Sequence, residues 1–302
     1  MTYEQLLKNL ADRDERLVVM TAENRAAIRG LPPLLGNRFI DTGITEQTMV
    51  GAAAGLALRG RIPVAHALAC FLTMRAYEFI RTDVGISGLP VKLVGYVPGL
   101  LSEANGPTHQ AIEDVAIMRG VPPLNVYCPA DFNDLMIGIE KILLDPRPWY
   151  IRYTDKPHAV EHSTEFEIGK AEQFGTGTDI ALLTYGEMFR HAFQAREMLE
   201  AQGKSVRLIN LRTLKPLDEE AVLNALRNCA LTVTIEDHFR TGGLYSIVAE
   251  LALENRVAAH VEPICLNNKW FKPALMAAVL EYEKLRAVDL VERIMTRFNA
   301  LG

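Results

Sequence analysis

The sequence has no run of lysine or arginine, no closely spaced pair of cysteines and no long apolar stretch. Nucleic-acid-binding proteins usually present a basic face, whereas this 302-residue chain has a net charge of −5. Its four cysteines form no CxxC pair, so we expect buried, reduced thiols rather than a zinc site or a disulfide framework. No apolar run reaches the ~18 residues of a membrane span, and the N-terminus has no apolar signal region. We therefore expect a cytoplasmic protein that binds neither nucleic acid nor membrane.

Short apolar, β-branched runs alternate with longer segments of helical periodicity in the first half of the chain. This alternation indicates βαβ units and a parallel sheet. The predicted strands are Leu17–Met20, Ile62–Ala65, Val91–Val94, Leu124–Tyr127 and Trp149–Arg152. The predicted helices are Glu46–Leu58, Phe71–Val84, Gln110–Met118 and Asp131–Leu144.

A second βα series follows a polar segment, His158–Gly177, that is typical of a linker or a small hairpin. Its predicted strands are Ile180–Tyr185, Val206–Ile209, Leu231–Ile235 and Val261–Cys265, and its helices include Glu187–Gln202, Asp218–Arg227 and Leu244–Leu253. We therefore predict an α/β protein of two domains, residues 1–165 and 166–302. Each should be an open, mostly parallel sheet flanked by helices.

One segment, RFIDTGITEQTMVGAAAGLALRG, indicates more than packing. Glu46 begins a helix that has almost no side-chain bulk at Gly51–Gly55, so the helix can approach a backbone or a flat ligand closely. On spacing alone, Thr45 or Asp41 would cap this helix and Glu46 would complement its dipole.

Two later segments give Glu46 a different meaning. GITEQTMVGAAAGLA, FLTMRAYEFIR and GPTHQAIEDVAIMR, read in this order, resemble the pyrimidine-binding domain of the transketolase family. The family includes 1-deoxyxylulose-5-phosphate synthase and the β subunits of 2-oxoacid dehydrogenases, and the GPTHQ form favours transketolase. GTDIALLTYGEMFRHAFQA, INLRTLKPLD and EDHFRTGGL resemble the family's C-terminal domain, so nearly the whole chain is covered.

The resemblance assigns a cofactor, thiamine diphosphate, and residues that bind it. Glu46 is similar to the carboxyl group that hydrogen-bonds the N1′ atom of the aminopyrimidine, which favours the tautomer that removes the C2 proton. Phe71 resembles the aromatic residue that stacks on the aminopyrimidine, although a lone phenylalanine also suits a core. Leu68 and Met74 would line the same pocket.

The resemblance also assigns residues that act near the substrate. His109 resembles the histidine that hydrogen-bonds the donor's oxygen atoms and stabilises charge there. Glu23 lies where relatives carry an acidic residue near the cofactor and the subunit interface. His66 could face the pocket. The remaining histidines carry no motif, and we expect surface or capping roles for His158, His162, His191, His238 and His260.

The family's magnesium and diphosphate motif, a GDG followed by an asparagine, is absent from the sequence. Mg²⁺ needs oxygen ligands, so another chain must supply them, and we assign no metal ligand to this one. The resemblance therefore implies a split enzyme with a separate N-terminal transketolase subunit. The cofactor would lie between the two chains, in an α2β2 heterotetramer.

The positions that meet a sugar phosphate in the family look altered here. The usual histidine falls at Val97, and the usual arginine falls near Asp155, with Arg152 close by. An acidic residue that contacts a sugar hydroxyl becomes Asn105. A phosphate without cationic partners binds poorly. We expect a modified or nucleotide-linked sugar as substrate, unless the partner chain supplies the cations.

The function implied is an enzyme, active only with its partner subunit, that moves a two-carbon ketol unit from a ketose donor to an aldehyde acceptor. One alternative is a relative that decarboxylates a 2-oxoacid, either like deoxyxylulose-phosphate synthase or like a dehydrogenase β subunit. The other is a non-catalytic structural partner that has kept the fold.

Overall fold

The computed structural model describes residues 1–267 and 269–301, which form two β-sheets. The first sheet consists of β1 (Leu17–Thr21), β2 (Phe39–Asp41), β3 (Ile62–Leu68), β4 (Lys92–Tyr96), β5 (Asn125–Tyr127), β6 (Trp149–Tyr153) and β10 (Thr213–Lys215). The second consists of β7 (Glu172–Phe174), β8 (Ile180–Thr184), β9 (Val206–Asn210), β11 (Leu231–Phe239) and β12 (Val261–Leu266).

Helices connect the strands of both sheets. The first half contains α1 (Tyr3–Arg13), α2 (Pro32–Leu35), α3 (Glu46–Leu58), α4 (Tyr77–Phe79), α5 (Asp114–Arg119) and α6 (Phe132–Leu144). The second half contains α7 (Met188–Ala201), α8 (Glu219–Asn228), α9 (Leu244–Glu254), α10 (Met276–Tyr282) and α11 (Ala287–Asn299). Two wider π-helical segments, Phe71–Arg75 and Ile80–Gly85, flank α4, and two short 3₁₀ turns cover Gly36–Arg38 and Glu103–Asn105.

The first sheet has the order β10-β5-β6-β4-β3-β1-β2, and all its pairings are parallel except that of β10 with β5. The second has the order β12-β11-β8-β9-β7, with β7 antiparallel to β9. Every residue of β1, β6 and β8 is buried. Strands covered on both faces read as continuous apolar runs, which is why the sequence shows them clearly. The predicted fold class, two mostly parallel sheets flanked by helices, is confirmed.

Two local predictions were wrong, and of the two interpretations of the polar segment, linker or small hairpin, the hairpin is excluded. The predicted helix Phe71–Val84 is divided into π-helical and α-helical segments. The predicted helix at Gln110 begins only at Asp114, because the preceding residues form a loop closed by a bridge between Gly99 and Ala111. The polar segment forms no hairpin of its own, since β7 pairs with β9.

The two halves of the chain share structure across the predicted boundary. Strand β10 belongs to the second half and extends the first sheet. One buried apolar cluster contains Val115 and Leu124 from the first half together with Leu183 and Leu244 from the second. The boundary at residues 165 and 166 stays a prediction, but the halves do not have separate cores.

The cysteines are free thiols, as expected, although only Cys70 and Cys128 are fully buried. Cys229 and Cys265 are half-buried, which corrects the expectation for these two. Burial raises the pKa of Cys70 to about 12, so this group stays a thiol at neutral pH. In the described part of the chain, no helix is both long enough and apolar enough to cross a bilayer.

A buried network of charged side chains connects the linker, residues 158–177, to both halves of the chain. This linker network consists of His162, Asp131, Asp134, Glu172 and Arg212. The ring of His162 donates from Nδ1 to Glu172 at 2.7 Å and from Nε2 to Asp131 at 3.0 Å. The Arg212 guanidinium lies 2.6 Å from Asp134 and 3.2 Å from Glu172. His162 is buried, so its expected surface or capping role was wrong.

His162 makes the free energy of unfolding depend on pH. Burial alone would lower the pKa of His162, but its hydrogen bonds to Asp131 and Glu172 outweigh burial and raise the pKa to about 10. A raised folded-state pKa means that the contribution is complete below the unfolded pKa of ~6.5 and is lost as the pH rises through about 10. We expect His162→Gln to have a lower free energy of unfolding than wild type at pH 6. This gap in free energy between the two proteins should narrow as the pH rises, by at most about 1.4 kcal/mol per pH unit.

Urea unfolding at several pH values would measure this gap. His158→Gln, at an exposed position, is the matched control and should show no such trend. A gap for His162→Gln that stays constant across the range would contradict the charged state assigned to His162.

Candidate active site

Four segments with predicted site residues meet at one edge of the first sheet. Glu23 follows β1, Glu46 follows β2, Phe71 follows β3, and the loop after β4 carries His109. These strands are neighbours, in the order β4-β3-β1-β2, and run parallel. Their carboxyl ends therefore lie together, at the edge where open parallel sheets bind ligands.

Glu46 is a buried carboxylate at the start of α3, with only 2% of the residue exposed. Its Oε2 atom accepts a hydrogen bond from Nη1 of Arg75 at 2.9 Å. The capping alternative was wrong, because the Thr45 side chain makes no bond to the helix and the Asp41 carboxylate accepts from Gly43 and Arg25 instead. Among the described residues, the Glu46 carboxylate is thus held by a single side chain.

Arg75 joins Glu46 to an aromatic pair. Its guanidinium lies 4.1 Å from the centre of the Phe71 ring. Phe71 in turn packs edge-on against His109, with ring centres 5.0 Å apart. We call Glu46, Arg75, Phe71 and His109 the site cluster. The sequence reasoning missed Arg75, although its position four residues after Phe71 places it on the same helical face.

The other predicted cofactor residues, Leu68, Met74 and Glu23, differ in how they lie relative to this cluster. Leu68 and Phe71 pack on the same small apolar group of Ala69, Cys70 and Ala111. Leu68 also lines a cleft of about 550 Å³ together with Glu23. Met74 is partly exposed, so it lies at the surface beside the cluster. Their predicted roles in a cofactor pocket stay predictions.

The His109 loop has one unmet hydrogen-bonding group. His109 is half-buried, and its Nδ1 lies 2.8 Å from the Thr108 hydroxyl. Next to it, Gln110 is 1% exposed, and neither atom of its amide has a partner among the described residues. A buried polar group without a partner costs about 1–3 kcal/mol. A ligand or a second chain is the kind of partner that would remove this cost.

Arg152 is not available for a substrate phosphate. It is 3% exposed, and its guanidinium lies 2.9 Å from Asp114 and 3.3 Å from Asp237. Asp155 is exposed and accepts a hydrogen bond from the Tyr96 hydroxyl at 2.9 Å. The position where the resemblance suggests a cation therefore carries a negative charge.

Two further histidines are structural. His66 lies inside the sheet, where its Nε2 is 2.9 Å from the Tyr3 hydroxyl and burial lowers its pKa to about 4, so it does not face the pocket. His238 is buried and accepts a hydrogen bond from the Ala116 N–H at 3.3 Å, which corrects its expected surface role.

Only one group in residues 1–267 and 269–301 has the spacing of a metal site, namely Asp134, His162 and Glu172. It belongs to the linker network, where Arg212 and the His162 imidazolium lie beside the carboxylates of Asp131, Asp134 and Glu172. These carboxylates thus already have cationic partners within the chain, and we assign no metal ion to this group. The absence of magnesium ligands around Glu46 stays a prediction.

Comparison with known families gives a match on each half of the chain. Residues 1–157 match the family Transketolase, pyrimidine binding domain, and residues 169–288 match Transketolase, C-terminal domain. The chain is 38% identical over 258 residues to a 6-deoxy-6-sulfo-D-fructose transketolase subunit of Clostridium sp., covering 84% of this chain and 80% of that protein. It is 33% identical over 266 residues to one subunit of the apulose-4-phosphate transketolase of Phocaeicola vulgatus, covering 86% and 85%.

Longer proteins and a solved structure match as well. The chain is 34% identical to a 1-deoxy-D-xylulose-5-phosphate synthase of Synechococcus sp., covering 97% of this chain but only 46% of that longer protein. A split-gene transketolase, solved as an inactive beta4 tetramer, has a TM-score of 0.86 at 32% identity and covers 98% of this chain and 96% of its own. These matches extend over both halves of the chain.

Proposed function

Because this chain belongs to the transketolase family, we propose that it is the cofactor-activating subunit of a two-chain, thiamine-diphosphate-dependent transketolase. The enzyme transfers a two-carbon ketol unit from a ketose donor to an aldehyde acceptor. The observation that carries the proposal is the site cluster: a buried Glu46 carboxylate connected through Arg75 to Phe71 and His109 at the ligand-binding edge of the sheet.

The site cluster fits the aminopyrimidine end of the cofactor. Thiamine diphosphate, when bound, supplies a carbon nucleophile that holds the two-carbon unit between donor and acceptor. Glu46 would hydrogen-bond a ring nitrogen, and Phe71 would pack on the ring, with Leu68 and Met74 beside it. The Arg75 side chain is 39% exposed, so it can turn away from Glu46 when a ligand takes its place.

Two residues then carry the chemistry of this chain. Glu46 would exchange a proton with the ring nitrogen, a type of step that contributes about 10²–10⁴-fold to rate. His109 would hydrogen-bond the donor's oxygen atoms and stabilise charge that develops on them. Its edge-on contact with Phe71 supports this role, because it places the imidazole beside the proposed ring pocket.

A second chain is proposed to supply the diphosphate and Mg²⁺ ligands. This sequence has no GDG motif, and two similar proteins are named as transketolase subunits. Large apolar side chains also remain exposed in α3 and in nearby segments, as expected of residues that a second chain would cover: Ile44, Leu58, Phe79 and Ile86. Glu23 would lie near this boundary. Two copies of each chain would form an α2β2 heterotetramer.

For the substrate, we propose a sugar other than a simple terminally phosphorylated ketose. Arg152 is engaged by Asp114 and Asp237, and Asp155 is negative. One of the two similar transketolase subunits is named for a modified sugar, 6-deoxy-6-sulfo-D-fructose, whereas the other is named for a sugar phosphate, apulose 4-phosphate. A modified or nucleotide-linked sugar fits, unless the partner supplies cations. Tight binding of plain xylulose 5-phosphate by the assembled enzyme would contradict this proposal.

A second candidate is decarboxylation of a 2-oxoacid, because a 1-deoxy-D-xylulose-5-phosphate synthase matches along nearly the whole chain. Release of carbon dioxide from labelled pyruvate would identify that reaction, since a ketol transfer from a sugar releases none. A non-catalytic scaffold is the third possibility. The contacts among Glu46, Phe71 and His109 favour an enzyme over it.

Calorimetry with thiamine diphosphate and Mg²⁺ tests the proposed function. We expect no binding to this chain alone and binding to its mixture with a GDG-bearing partner chain. Glu46→Ala in that mixture should weaken binding or abolish turnover. Strong binding to the isolated chain would show that it holds the diphosphate itself and would refute the two-chain arrangement.

A further inference from the structure

The loop that carries His109, residues 97–113, is held by the second half of the chain. The Leu100 N–H donates to Oδ2 of Asp237 at 3.3 Å, near the start of the loop. The Phe239 N–H donates to the Ile112 carbonyl at 2.9 Å, near its end. Asp237 and Phe239 both belong to β11. Strand β11 of the second sheet is therefore hydrogen-bonded to both ends of the loop.

Arg152, in β6, forms ion pairs with a residue at each end of the loop contact: Asp114, which follows the loop, and Asp237, which binds the start of the loop. Its Nε lies 2.9 Å from Oδ2 of Asp114, which begins α5 directly after the loop. Its Nη1 lies 3.3 Å from Oδ1 of Asp237. All three side chains are almost fully buried. Displacing one partner of a buried ion pair is strongly unfavourable, so this arrangement resists movement of the loop.

Glycines in the loop leave room for these contacts. Gly99 has φ of +60°, and a methyl group there would overlap the Asp237 carboxylate. Gly106 lies on the other side of the loop, where a methyl group would come within 2.7 Å of Cγ of Pro273. In both places the second half of the chain approaches the loop too closely for any side chain.

We propose that Asp237 and Arg152 are positioning residues for His109, through which the C-terminal domain sets the geometry of the active site. We call Arg152, Asp114 and Asp237 the loop clamp. This inference rests on the proposed function only in giving His109 a substrate to meet. The clamp is hydrogen-bonded to the loop, among its own members, and to the Tyr150 hydroxyl and the Val115 N–H, which both donate to Asp114. None of these hydrogen bonds involves Glu46, Arg75 or Phe71.

Asp237→Asn is the sharpest variant, because the two carboxylate oxygens have separate partners. Oδ1 faces Arg152 and Oδ2 accepts from Leu100. An amide has only one acceptor oxygen. Arg152 makes the stronger, charge-assisted bond, so the new NH₂ group would face the Leu100 N–H and push the loop away.

A control of the same design exists in the linker network. Asp134 accepts from the Ala130 N–H through Oδ2 at 2.9 Å and faces Arg212 through Oδ1 at 2.6 Å. Asp134→Asn therefore makes the same chemical change at an equally buried site that does not touch the loop.

Hydrogen exchange of the whole chain and kinetics of the assembled enzyme test the clamp together. In Asp237→Asn we expect amides of residues 99–112 to exchange at least about 10-fold faster and kcat/KM for the donor to fall about 10²-fold, as for a small misplacement of a catalytic group. Cofactor affinity should change less than about twofold, since the change leaves Glu46 and Phe71 in place. Asp134→Asn should leave loop exchange and kcat/KM unchanged.

Gly99→Ala gives an independent test should Asp237→Asn fold poorly. It should loosen the loop by pushing the Asp237 carboxylate aside. Gly88→Ala is its control, because Gly88 has a similar φ of +61° and open space around it. Unchanged loop exchange in both Asp237→Asn and Gly99→Ala overturns the clamp. Faster loop exchange in a protein that shows no ketol transfer with any partner would leave the clamp standing and overturn the proposed function.

Discussion

Glu46→Gln is expected to lower kcat of the assembled enzyme by about 10²–10⁴-fold, the usual contribution of a positioned acid–base group. Glutamine has nearly the same volume, so the 2% exposure of this position can be kept without a cavity. Its amide cannot exchange a proton with a ring nitrogen. Arg75 loses the negative charge of its partner, but the glutamine oxygen can still accept its hydrogen bond and the Arg75 side chain is partly exposed to water, so the fold should remain stable. Steady-state ketol transfer, together with thermal unfolding, measures both effects.

Glu197→Gln, at an exposed position on α7, is the control for removing one glutamate charge. It should retain full activity. Glu46→Asp should lie between wild type and Glu46→Gln, because it keeps a carboxyl group but reaches one methylene less far. If Glu46→Gln retained activity within about twofold of wild type, Glu46 would have no acid–base role of the usual size.

His109→Ala should lower kcat/KM for the donor by about 10²–10³-fold, the effect of removing one group that stabilises developing charge. Cofactor affinity should change little, because Glu46 and Phe71 remain. The His109 ring contacts Phe71 only edge-on and is half-buried, so its loss leaves the proposed ring pocket intact. Donor kinetics and cofactor calorimetry on the same sample would separate the two effects.

His158→Gln controls for loss of a histidine away from the site, since His158 is exposed beyond β6. Thr108→Val is a second useful variant, because it removes the hydroxyl that lies 2.8 Å from His109 Nδ1. It should cause a smaller loss than His109→Ala. Weaker cofactor binding with unchanged turnover would instead mean that His109 supports Phe71 rather than the substrate.

Much of the fold could be predicted because buried parallel strands leave an uninterrupted apolar signal. Strands β1, β6 and β8 are buried along their whole length, and each was recognised within one residue at its ends. Helix α3 has the predicted bounds, Glu46–Leu58. The signal failed at Phe71–Val84, because apolar periodicity predicted one continuous helix and does not reveal where hydrogen bonds shift to the i→i+5 pattern of π-helical turns.

The site could be predicted in part, for a different reason. Glu46, Phe71 and His109 lie in motifs, so their residue types carry the resemblance directly. Arg75 was missed because an arginine in an amphipathic segment usually lies on a solvated face. Asp237 was missed because its partners, Leu100 and Arg152, are 137 and 85 residues away in sequence.

The sequence by itself determined the two α/β halves, the family and the identity of the residues proposed for the chemistry, because periodicity and motif are local properties of the chain. Only the tertiary structure decided which charges pair. In the folded chain, Arg152 forms ion pairs with Asp114 and Asp237. His162 lies between Asp131 and Glu172, and β10 pairs with the first sheet. Such pairings depend on burial and on contacts between distant segments, where an unpaired charge is costly, and no local pattern specifies them.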